Sequence, residues 1–337
     1  MKMLRHAVIG AGGISKKHFT GYGKLDNVKT VAVCDINETR LRAASETWGV
    51  PDITTDYGKI LARDDIDLIS ICLPNYLHAP DGIAALDAGK HLILEKPAGI
   101  TQEECDALYE AARKSDRKTV VSFLTRWSPV VRNLRKLLDQ GAFGDIYYAC
   151  ADYWHGIKPE FASYNWIRRR EFAGGAMITG GCHAVDIARY LNGDVAEVHA
   201  YSLKKRDDFD YDTTYVAAVR FVNGSIGKVS ASLDGLNFPY QFNIDLLGTK
   251  GAARENRIYT KELLDNQHDW VTLPCATPNS GAVSHHPFKD EIDNFVDAIR
   301  ENGKSLCTLE DACRTMDVVF AVTESARIGK PVAVKQR

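Results

Sequence analysis

The fold is decided by a stretch near the start of the chain, Ala7-Val8-Ile9-Gly10-Ala11-Gly12-Gly13-Ile14-Ser15. It predicts a buried strand that runs into a glycine turn, and a helix that begins after the turn. Gly10 permits the tight turn, Gly12 lets phosphate groups approach the backbone, and the small Ser15 allows helix and strand to pack closely. This arrangement directs backbone N–H groups and a helix N-terminus toward a pyrophosphate. The residues expected to bind a dinucleotide at this turn are Gly10, Gly12, Gly13 and Ile14.

Asp35 ends a second apolar run, Val31-Ala32-Val33-Cys34, and lies 25 residues after Gly10. A carboxylate at this place accepts hydrogen bonds from an adenosine ribose diol and repels a 2′-phosphate. The pattern therefore favours a nucleotide site over an ordinary strand–turn–helix, and NAD over NADP. Arg40 follows inside the next helix and is also expected near the cofactor. The alternative role of Asp35 is a helix N-cap, which Asn37 could fill instead.

The composition is that of a soluble globular protein. The 337 residues suit two domains, 45% of them are hydrophobic and 26% are charged. The net charge of −2 provides no basic surface for nucleic acid or for a membrane. The first strand begins so early that we expect no signal peptide, and no apolar run approaches the ~18 residues of a membrane span. The eight scattered cysteines indicate buried free thiols, and hence a cytoplasmic protein.

Strands and helices alternate over residues 1–123, which predicts an α/β domain with a doubly wound parallel sheet. The predicted strands are 5–9, 28–34, 66–72, 91–94 and 119–123, and the predicted helices include 38–48, 80–88 and 102–115.

Residues 124–337 have a different texture, which predicts an α+β domain with a large, mostly antiparallel open sheet. The predicted strands are 146–154, 195–203, 213–222, 225–233 and 240–246, with a hairpin turn at Val222-Asn223-Gly224-Ser225. The predicted helices are 129–139, 181–191, 287–301 and 309–328, of which the last could pack back on the first domain. Helices on one face of such a sheet leave the other face open. We therefore expect a homo-oligomer, a dimer or a tetramer.

The first segment with chemical potential is Leu94-Glu95-Lys96-Pro97, at the end of the fourth predicted strand. Ligands of doubly wound sheets bind at this edge, so Lys96 is expected near the cofactor. Its ammonium could hydrogen-bond a substrate hydroxyl and stabilise a developing alkoxide, or act as a general base once removed from water. Pro97 stiffens the loop. The alternative is a Lys–Glu pair at a strand end with no catalytic role.

The second such segment is Gly174-Gly175-Ala176-Met177-Ile178-Thr179-Gly180-Gly181-Cys182-His183-Ala184-Val185-Asp186. Thr179, His183 and Asp186 are spaced i, i+4 and i+7, so on a regular helix they would share one face. His183 is the natural acid or base at neutral pH. A histidine in a helix is, however, often a hydrogen-bonded residue of the core.

The chain resembles the Gfo/Idh/MocA oxidoreductases, the relatives of glucose–fructose oxidoreductase and inositol 2-dehydrogenase, over nearly its whole length. The resemblance rests on the glycine turn and on six further segments. These are Pro74-Asn75 with His78, Ala88-Gly89-Lys90-His91, Glu95-Lys96-Pro97, Gly174-Gly175 with His183 and Asp186, Pro287-Phe288, and Gly329-Lys330-Pro331-Val332. The family implies a Rossmann domain, then an α/β domain with an open sheet, and redox chemistry on sugars and polyols.

The resemblance also implies roles for individual residues. Lys96 corresponds to the lysine of the family's Glu-Lys-Pro motif, where Glu95 and Lys96 are expected beside the cofactor. His183 corresponds to the acid/base histidine. The loop of Pro74, Asn75 and His78 corresponds to the one beside the nicotinamide and its ribose. Many members carry Asp four residues before the histidine, whereas this chain has Thr179, so proton transfer is expected to depend on His183 alone.

Substrate recognition is indicated by aromatic and polar residues just before the Gly174-Gly175 segment. Aromatic rings stack on the C–H face of a sugar, and their polar tips reach its hydroxyls. The residues expected to contact substrate are Lys96, Tyr153, His155, Trp166, Thr179 and His183, with Trp154 and Tyr164 close by in sequence. Arg168-Arg169-Arg170 favours a solvated charged surface over an anion site, and His285-His286 favours a loop over a ligand pair.

Together these patterns predict an NAD-dependent oxidoreductase that moves a hydride between nicotinamide and the carbinol of a sugar, polyol or sugar derivative. One alternative is a glycoside-cleaving enzyme that oxidises its substrate transiently, eliminates and regains the hydride. A second is a non-catalytic NAD-binding sensor, against which the presence of Lys96 and His183 argues.

Overall fold

The computed structural model of the chain describes residues 2–234, 240–275, 277 and 286–337. The chain forms two compact units. The first consists of Met1–Phe123 and Phe288–Cys313, and the second of Leu124–Pro287 and Arg314–Arg337. The domain boundaries expected from the sequence, 1–123 and 124–337, stay a prediction.

The first unit is built on a parallel sheet. Its strands are β1 (Leu4–Ile9), β2 (Val28–Cys34), β3 (Asp52–Thr54), β4 (Leu68–Ile71), β5 (His91–Leu94) and β6 (Thr119–Val121). The helices between them are α1 (Ser15–Tyr22), α2 (Glu38–Trp48), α3 (Tyr57–Leu61), α4 (His78–Asp87) and α5 (Gln102–Lys114), with a 3-10 turn at Asn75–Leu77. The strand order is β3-β2-β1-β4-β5-β6, so the winding reverses between β1 and β4. Ligands of such sheets bind at the carboxyl ends of the strands beside this reversal.

The central strands are mostly apolar and deeply buried, as in a parallel sheet that helices cover on both faces. Every residue of β4 is buried, and β1 and β5 are almost as deeply enclosed. The predicted doubly wound fold is confirmed, and each predicted strand and helix lies within two residues of an observed one. The prediction from the sequence did not include β3 and α3, because they have only three and five residues and because β3 is largely exposed.

The second unit contains a larger, open sheet. Its strands are β7 (Ile146–Trp154), β8 (Val195–Leu203), β9 (Thr214–Phe221), β10 (Ile226–Ser232), β11 (Gln241–Gly248), β12 (Gly251–Arg254), β13 (Arg257–Thr260), β14 (Val271–Thr272) and β15 (Val332–Ala333). Their order is β14-β13-β12-β11-β7-β10-β9-β8-β15. β10 runs parallel to β7, and the other described neighbours are antiparallel. The predicted mostly antiparallel sheet is confirmed.

The four helices predicted in the second half of the chain, 129–139, 181–191, 287–301 and 309–328, each lie within one residue of an observed helix. The observed helices are α6 (Pro129–Asp139), α7 (Tyr164–Ile167), α8 (Arg170–Ala173), α9 (Cys182–Asn192), α10 (Phe288–Arg300) and α11 (Leu309–Ile328), with a 3-10 helix at Leu124–Trp127 and a π-helix at Met177–Gly181. α10 belongs to the first unit, and α11 begins in the first unit and continues in the second. Within the first unit the Cys313 thiol donates to the Cys105 carbonyl at 3.4 Å.

The predicted hairpin joins β9 to β10. The Val219–Gly227 pairing continues outward to Tyr215–Ala231, and Gly224 has a positive φ of 87°. Asn223 Oδ1 accepts a hydrogen bond from the Ser225 amide at 3.0 Å, which closes the turn.

A buried ion pair fixes the start of α9 in the second unit. Arg126 is almost fully buried and donates two hydrogen bonds to the Asp186 carboxylate, at 2.8 Å through Nε and at 2.6 Å through Nη2. Thr315 on α11 donates to the same carboxylate at 3.0 Å and accepts a hydrogen bond from Arg189 at 2.8 Å. Removing one partner of such a pair typically costs 3–5 kcal/mol. Asp186 therefore positions α9.

The described helices include none that is long and apolar enough to cross a membrane. All eight cysteines are free thiols, and all of them except the half-buried Cys275 are buried.

Candidate active site

The glycine turn joins β1 to α1 as the sequence predicts. Gly10 has a φ of 92°, and a Cβ on it would collide with the Cys72 carbonyl group, so only glycine fits there. A Cβ on Gly12 or Gly13 would meet no described atom within 4 Å. This open side of the backbone suits a pyrophosphate at the N-terminus of α1. The Ser15 hydroxyl donates to the Gly12 carbonyl at 2.7 Å and ties the turn to the helix.

Asp35 is buried at the carboxyl end of β2. Its Oδ2 accepts a hydrogen bond from the Ala11 amide at 2.7 Å, and its Oδ1 accepts one from the Asn37 amide at 2.8 Å. Each oxygen has a further lone pair, so the carboxylate can still accept from a ribose diol. Asn37, not Asp35, is the N-cap of α2, because its side chain accepts from the Arg40 amide at 3.1 Å. The N-cap alternative for Asp35 is therefore wrong.

Two side chains border Asp35 on its solvent side. Arg40 Nη1 lies 3.9 Å from Asp35 Oδ2, and this guanidinium is more than half exposed. Ile36 is 92% exposed, which is unusual for an isoleucine. The sequence analysis missed Ile36. The signal that could have found it is an apolar residue directly after the carboxylate predicted to bind the ribose diol, because such a residue would offer an adenine ring an apolar surface.

The Glu-Lys-Pro turn follows β5 at the same edge of the sheet. Glu95 is buried and Lys96 is half-buried, and the Lys96–Pro97 peptide bond is cis. The Glu95 amide donates to the Ile71 carbonyl at 3.1 Å, which continues the β4–β5 ladder. Its carboxylate lies 3.0 Å from Nε2 of His18, a contact that the sequence analysis did not predict.

The loop of Pro74, Asn75 and His78 lies after β4. Asn75 is buried, Pro74 is half-buried, and His78 begins α4 with 1% of its surface exposed. His78 Nδ1 lies 2.6 Å from the Pro97 carbonyl oxygen, and Nε2 lies 2.8 Å from the Leu73 carbonyl oxygen. Burial lowers the pKa of His78. The ring thus joins this loop to the Glu-Lys-Pro turn, and its direct contact with the cofactor stays a prediction.

In the second unit the Gly174–Asp186 segment is not one regular helix. Residues Met177–Gly181 form a π-helix, and α9 begins only at Cys182. The π-turn changes the angular position of Thr179 relative to His183 from that in a regular helix, and the shared face of Thr179, His183 and Asp186 stays a prediction. The Thr179 hydroxyl donates to the Ala173 carbonyl at 3.3 Å. A single-turn π-helix of this kind occurs frequently at functional sites.

His183 packs against Tyr153 of β7. The two rings are stacked, with centroids 5.4 Å apart and an angle of 23° between their planes. Gly180 permits this approach, because a Cβ there would lie 2.7 Å from a Tyr153 ring carbon. Tyr153 is buried, and burial raises the pKa of its phenol. The structure thus fixes the orientation of the predicted acid/base through an aromatic neighbour.

His155 extends this aromatic group. Its Nδ1 lies 3.1 Å from the Tyr153 hydroxyl, and its ring meets the edge of Tyr240 at 5.3 Å. Burial raises the pKa of the Tyr240 phenol. Three predicted residues, Tyr153, His155 and His183, are therefore neighbours, and Tyr240 is an addition that the sequence did not single out.

The other predicted substrate residues lie on or near α7. Trp166 is half-buried, and the Tyr164 hydroxyl donates to Asp208. Arg169 and Arg170 are exposed beside Asp210, as expected of a charged surface. His286 lies 6.4 Å from the Tyr240 ring, and His285 lies outside the described residues. The described residues contain no group of three or more metal-ligating side chains.

Two family models match the chain. Residues 4–123 match the NAD-binding Rossmann domain of the Gfo/Idh/MocA oxidoreductase family, and residues 135–334 match its C-terminal alpha/beta domain. The chain belongs to this family. The recognition from motifs is confirmed, and so are the oxidoreductase class and NAD as the cofactor.

Curated relatives and solved structures resemble the whole chain. D-glucoside 3-dehydrogenase of Escherichia coli is 28% identical over 98% of this chain and 97% of its own length. Levoglucosan dehydrogenase of Pseudarthrobacter phenanthrenivorans is 28% identical over 75% of this chain and 73% of its own. A levoglucosan dehydrogenase structure in complex with NADH covers 100% of both chains at 25% identity, with a TM-score of 0.91.

The cofactor preference should depend on Asp35. We expect NAD to bind at least about tenfold more tightly than NADP, which corresponds to roughly 1.4 kcal/mol. Asp35→Ser should shrink this preference, because it removes the charge that repels a 2′-phosphate. Isothermal titration of both cofactors measures the effect, with Asp35→Asn as the comparison that also removes the charge but keeps the side-chain shape and one acceptor oxygen. Equal binding of NAD and NADP by the unmodified protein would contradict the role of Asp35.

Proposed function

We propose that the protein transfers a hydride between the carbinol of a sugar, polyol or sugar derivative and NAD. The observation that carries the proposal is the joint presence of the NAD-binding turn, Lys96 on the Glu-Lys-Pro turn and His183 beside the aromatic group of the second unit. Bound NAD supplies the hydride acceptor. The protein supplies orientation, charge and a path for the hydroxyl proton.

Lys96 polarises the reacting oxygen. Its ammonium is a compact cation with three donors, so it stabilises the alkoxide that develops as the hydride leaves carbon. The turn that carries it is stiffened by Pro97 and by the burial of Glu95. A rigid support matters because catalytic groups must be held close to the productive geometry.

His183 takes the hydroxyl proton during oxidation and returns it during reduction. The stack on Tyr153 holds the imidazole plane, and His155 holds the Tyr153 hydroxyl. Thr179 contributes a hydroxyl that donates to the Ala173 carbonyl and whose oxygen can accept a hydrogen bond from a substrate hydroxyl.

The substrate class rests on the relatives and on the aromatic group. Both relatives named above are dehydrogenases of ring sugars, which favours net hydride transfer over glycoside cleavage. Tyr153, Tyr240 and His155 offer apolar ring faces with polar tips, as a pyranoside requires. A panel of levoglucosan, D-glucosides, free sugars and inositols, scanned at 340 nm with NAD, tests this. Release of a chromogenic aglycone without net NADH would support the glycoside-cleaving alternative instead.

We propose that the open face of the second sheet is the interface of a homo-oligomer. We also propose that the protein is cytoplasmic. The register places Tyr201, Val216 and Ile226 on the same face, and they are 72%, 46% and 55% exposed. Large exposed apolar groups on one face are typical of an interface. A second copy of the chain presents the same surface, so a two-fold interface is the simplest cover.

Negative charges introduced on this face test the proposed interface. Tyr201→Glu with Val216→Glu should convert the oligomer to a smaller species in sedimentation velocity, because carboxylates would be buried without partners. Tyr147→Glu is the matched control, since Tyr147 is 54% exposed and points to the opposite face from its neighbour Tyr148, which pairs with Ile226. An unchanged sedimentation coefficient in the double variant would contradict this assignment.

Lys96→Ala should leave NAD affinity nearly intact and lower kcat by about 10²-fold or more, because it removes a charge partner of the transition state. Lys96→Arg keeps the charge and should retain more activity than the alanine variant. The measurements are steady-state kinetics with the best substrate of the panel and NAD titration. A kcat equal to that of the unmodified enzyme would assign Lys96 a structural role only.

His183→Ala should lower kcat by about 10²–10⁴-fold in a folded, NAD-binding protein. The oxidation rate should rise with pH as the imidazole loses its proton, because the neutral ring is the base. Thr179→Asp should move this rise to higher pH, since a nearby carboxylate favours imidazolium. The pH profile of kcat measures both effects, with Thr179→Asn as the uncharged control. Full activity of His183→Ala would overturn the assignment, and identical profiles would show that residue 179 does not influence His183.

A further inference from the structure

Two buried histidines contact the residues before and after Lys96 in the Glu-Lys-Pro turn. His18 contacts the side chain before Lys96, and His78 contacts the carbonyl of the residue after it. Both histidines belong to the first unit, and both are at most 1% exposed. They come from different elements, α1 and the start of α4, so the turn is braced by long-range contacts.

The contact between His18 and Glu95 is short and buried from solvent. Nε2 of His18 lies 3.0 Å from Oε1 of Glu95, and the two side chains are 0% and 8% exposed. Among the described residues Nδ1 of His18 has no hydrogen-bond partner, so the hydrogen bonding of this ring is directed at Glu95. The edge of Phe288 packs against the ring at 5.5 Å and excludes water from that side. A carboxylate in this setting needs a donor to remain in place.

A second carboxyl group near Glu95 makes a negative charge on Glu95 less stable. Glu291 of α10 is fully buried and accepts a hydrogen bond from the Ser122 hydroxyl at 3.3 Å. Burial raises its pKa, and the negative charge of Glu95 raises it further. Glu291 is either negatively charged or a neutral acid, so it offers no positive charge to the Glu95 carboxylate. The Glu95 carboxylate therefore depends on His18 for stabilisation.

The His78 contact acts on the backbone. One ring nitrogen lies 2.6 Å from the Pro97 carbonyl oxygen and the other 2.8 Å from the Leu73 carbonyl oxygen. Since the two carbonyls belong to different loops, the ring fixes the spacing between the Glu-Lys-Pro turn and the loop that begins at Pro74. A neutral ring has one N–H and donates to one of the two carbonyls at a time.

We propose that His18 and His78 are positioning residues for Lys96. This inference rests on the proposed function, in which the Lys96 ammonium meets the reacting oxygen. The lysine side chain is a flexible four-carbon chain, so the position of its ammonium depends on how firmly the backbone at residue 96 is held. Displacement of a catalytic group by about 1 Å can cost about 10²-fold in rate. Neither histidine needs to contact substrate to have this effect.

The test for His18 separates positioning from folding. His18→Leu should lower kcat by about tenfold or more while the Kd of NAD changes by less than about twofold, because Lys96 moves and the glycine turn does not. His18→Gln should restore most of kcat, since its amide N–H can take the place of Nε2–H toward Glu95. His6→Leu is the matched control. His6 is a fully buried histidine of β1 that lies 2.9 Å from Thr30 and 2.8 Å from Ser70, and it should lower Tm without this loss of kcat.

A double variant distinguishes failure of this inference from failure of the proposed function. If His18 acts through Lys96, adding His18→Leu to Lys96→Ala should lower kcat by less than about twofold further. A kcat that is normal in His18→Leu but low in Lys96→Ala would overturn the positioning role and leave the proposed function standing. A normal kcat in Lys96→Ala would overturn the role of Lys96 itself. Full additivity of the two losses would show that His18 acts by another route.

His78 should give a different signature. His78→Leu releases both the Glu-Lys-Pro turn and the loop of Pro74 and Asn75, so kcat should fall and the Kd of NAD should rise together. His78→Asn keeps an N–H near the position of Nδ1 and should recover kcat more than NAD affinity, because it can reach Pro97 but not Leu73. Loss of kcat alone in His78→Leu, or equal recovery of both quantities in His78→Asn, would overturn the bridging role.

Discussion

A carboxylate removed from water must be given hydrogen-bond donors, and this requirement holds together the parts of each unit that carry chemistry. Asp35 joins the glycine turn to the start of α2 through two amide N–H groups. Glu95 joins the Glu-Lys-Pro turn to α1 through His18. Asp186 joins α9 to the segment before α6 through Arg126. The Ala11–Asp35, His18–Glu95 and Arg126–Asp186 contacts each span 24 or more residues of sequence, so these side chains are placed by the folded core rather than by local structure.

The parallel sheet could be predicted because its signals are local and strong. The glycine turn, the buried runs of β2 and β5 and the capped start of α5 each identify themselves within about ten residues. The edge strand β3 could not be predicted, because three largely exposed residues form it only by pairing with β2. Candidate cofactor residues could be named for the same reason as the strands, since Gly10 and Asp35 stand at the strand ends where a dinucleotide-binding turn requires a glycine and a carboxylate.

The second half of the candidate site was only partly predictable. The relative position of Thr179 and His183 was predicted for a regular helix, whereas the segment before α9 is a π-helix. The turn depends on contacts with distant elements, since Gly180 lies under Tyr153 and Gly181 under Ala231. Two adjacent glycines before the histidine were the available signal, because they mark a close approach of backbone to sheet. The partners His18 and Tyr240 had no local signal and appear only in the fold.

The threonine at position 179 fits its surroundings better than a carboxylate would. Its hydroxyl donates to the Ala173 carbonyl oxygen, and the residue is 4% exposed. An aspartate there would bring a negative charge against that carbonyl oxygen in a poorly hydrated place, so its ionised form would need the positive charge of a His183 imidazolium to offset the cost. The threonine, which stands where the resemblance to the family implies an aspartate, is therefore matched by the local hydrogen bonding. The stack on Tyr153 contributes to the orientation of His183 and connects the proposed proton-transfer residue to the aromatic group proposed to bind a sugar ring.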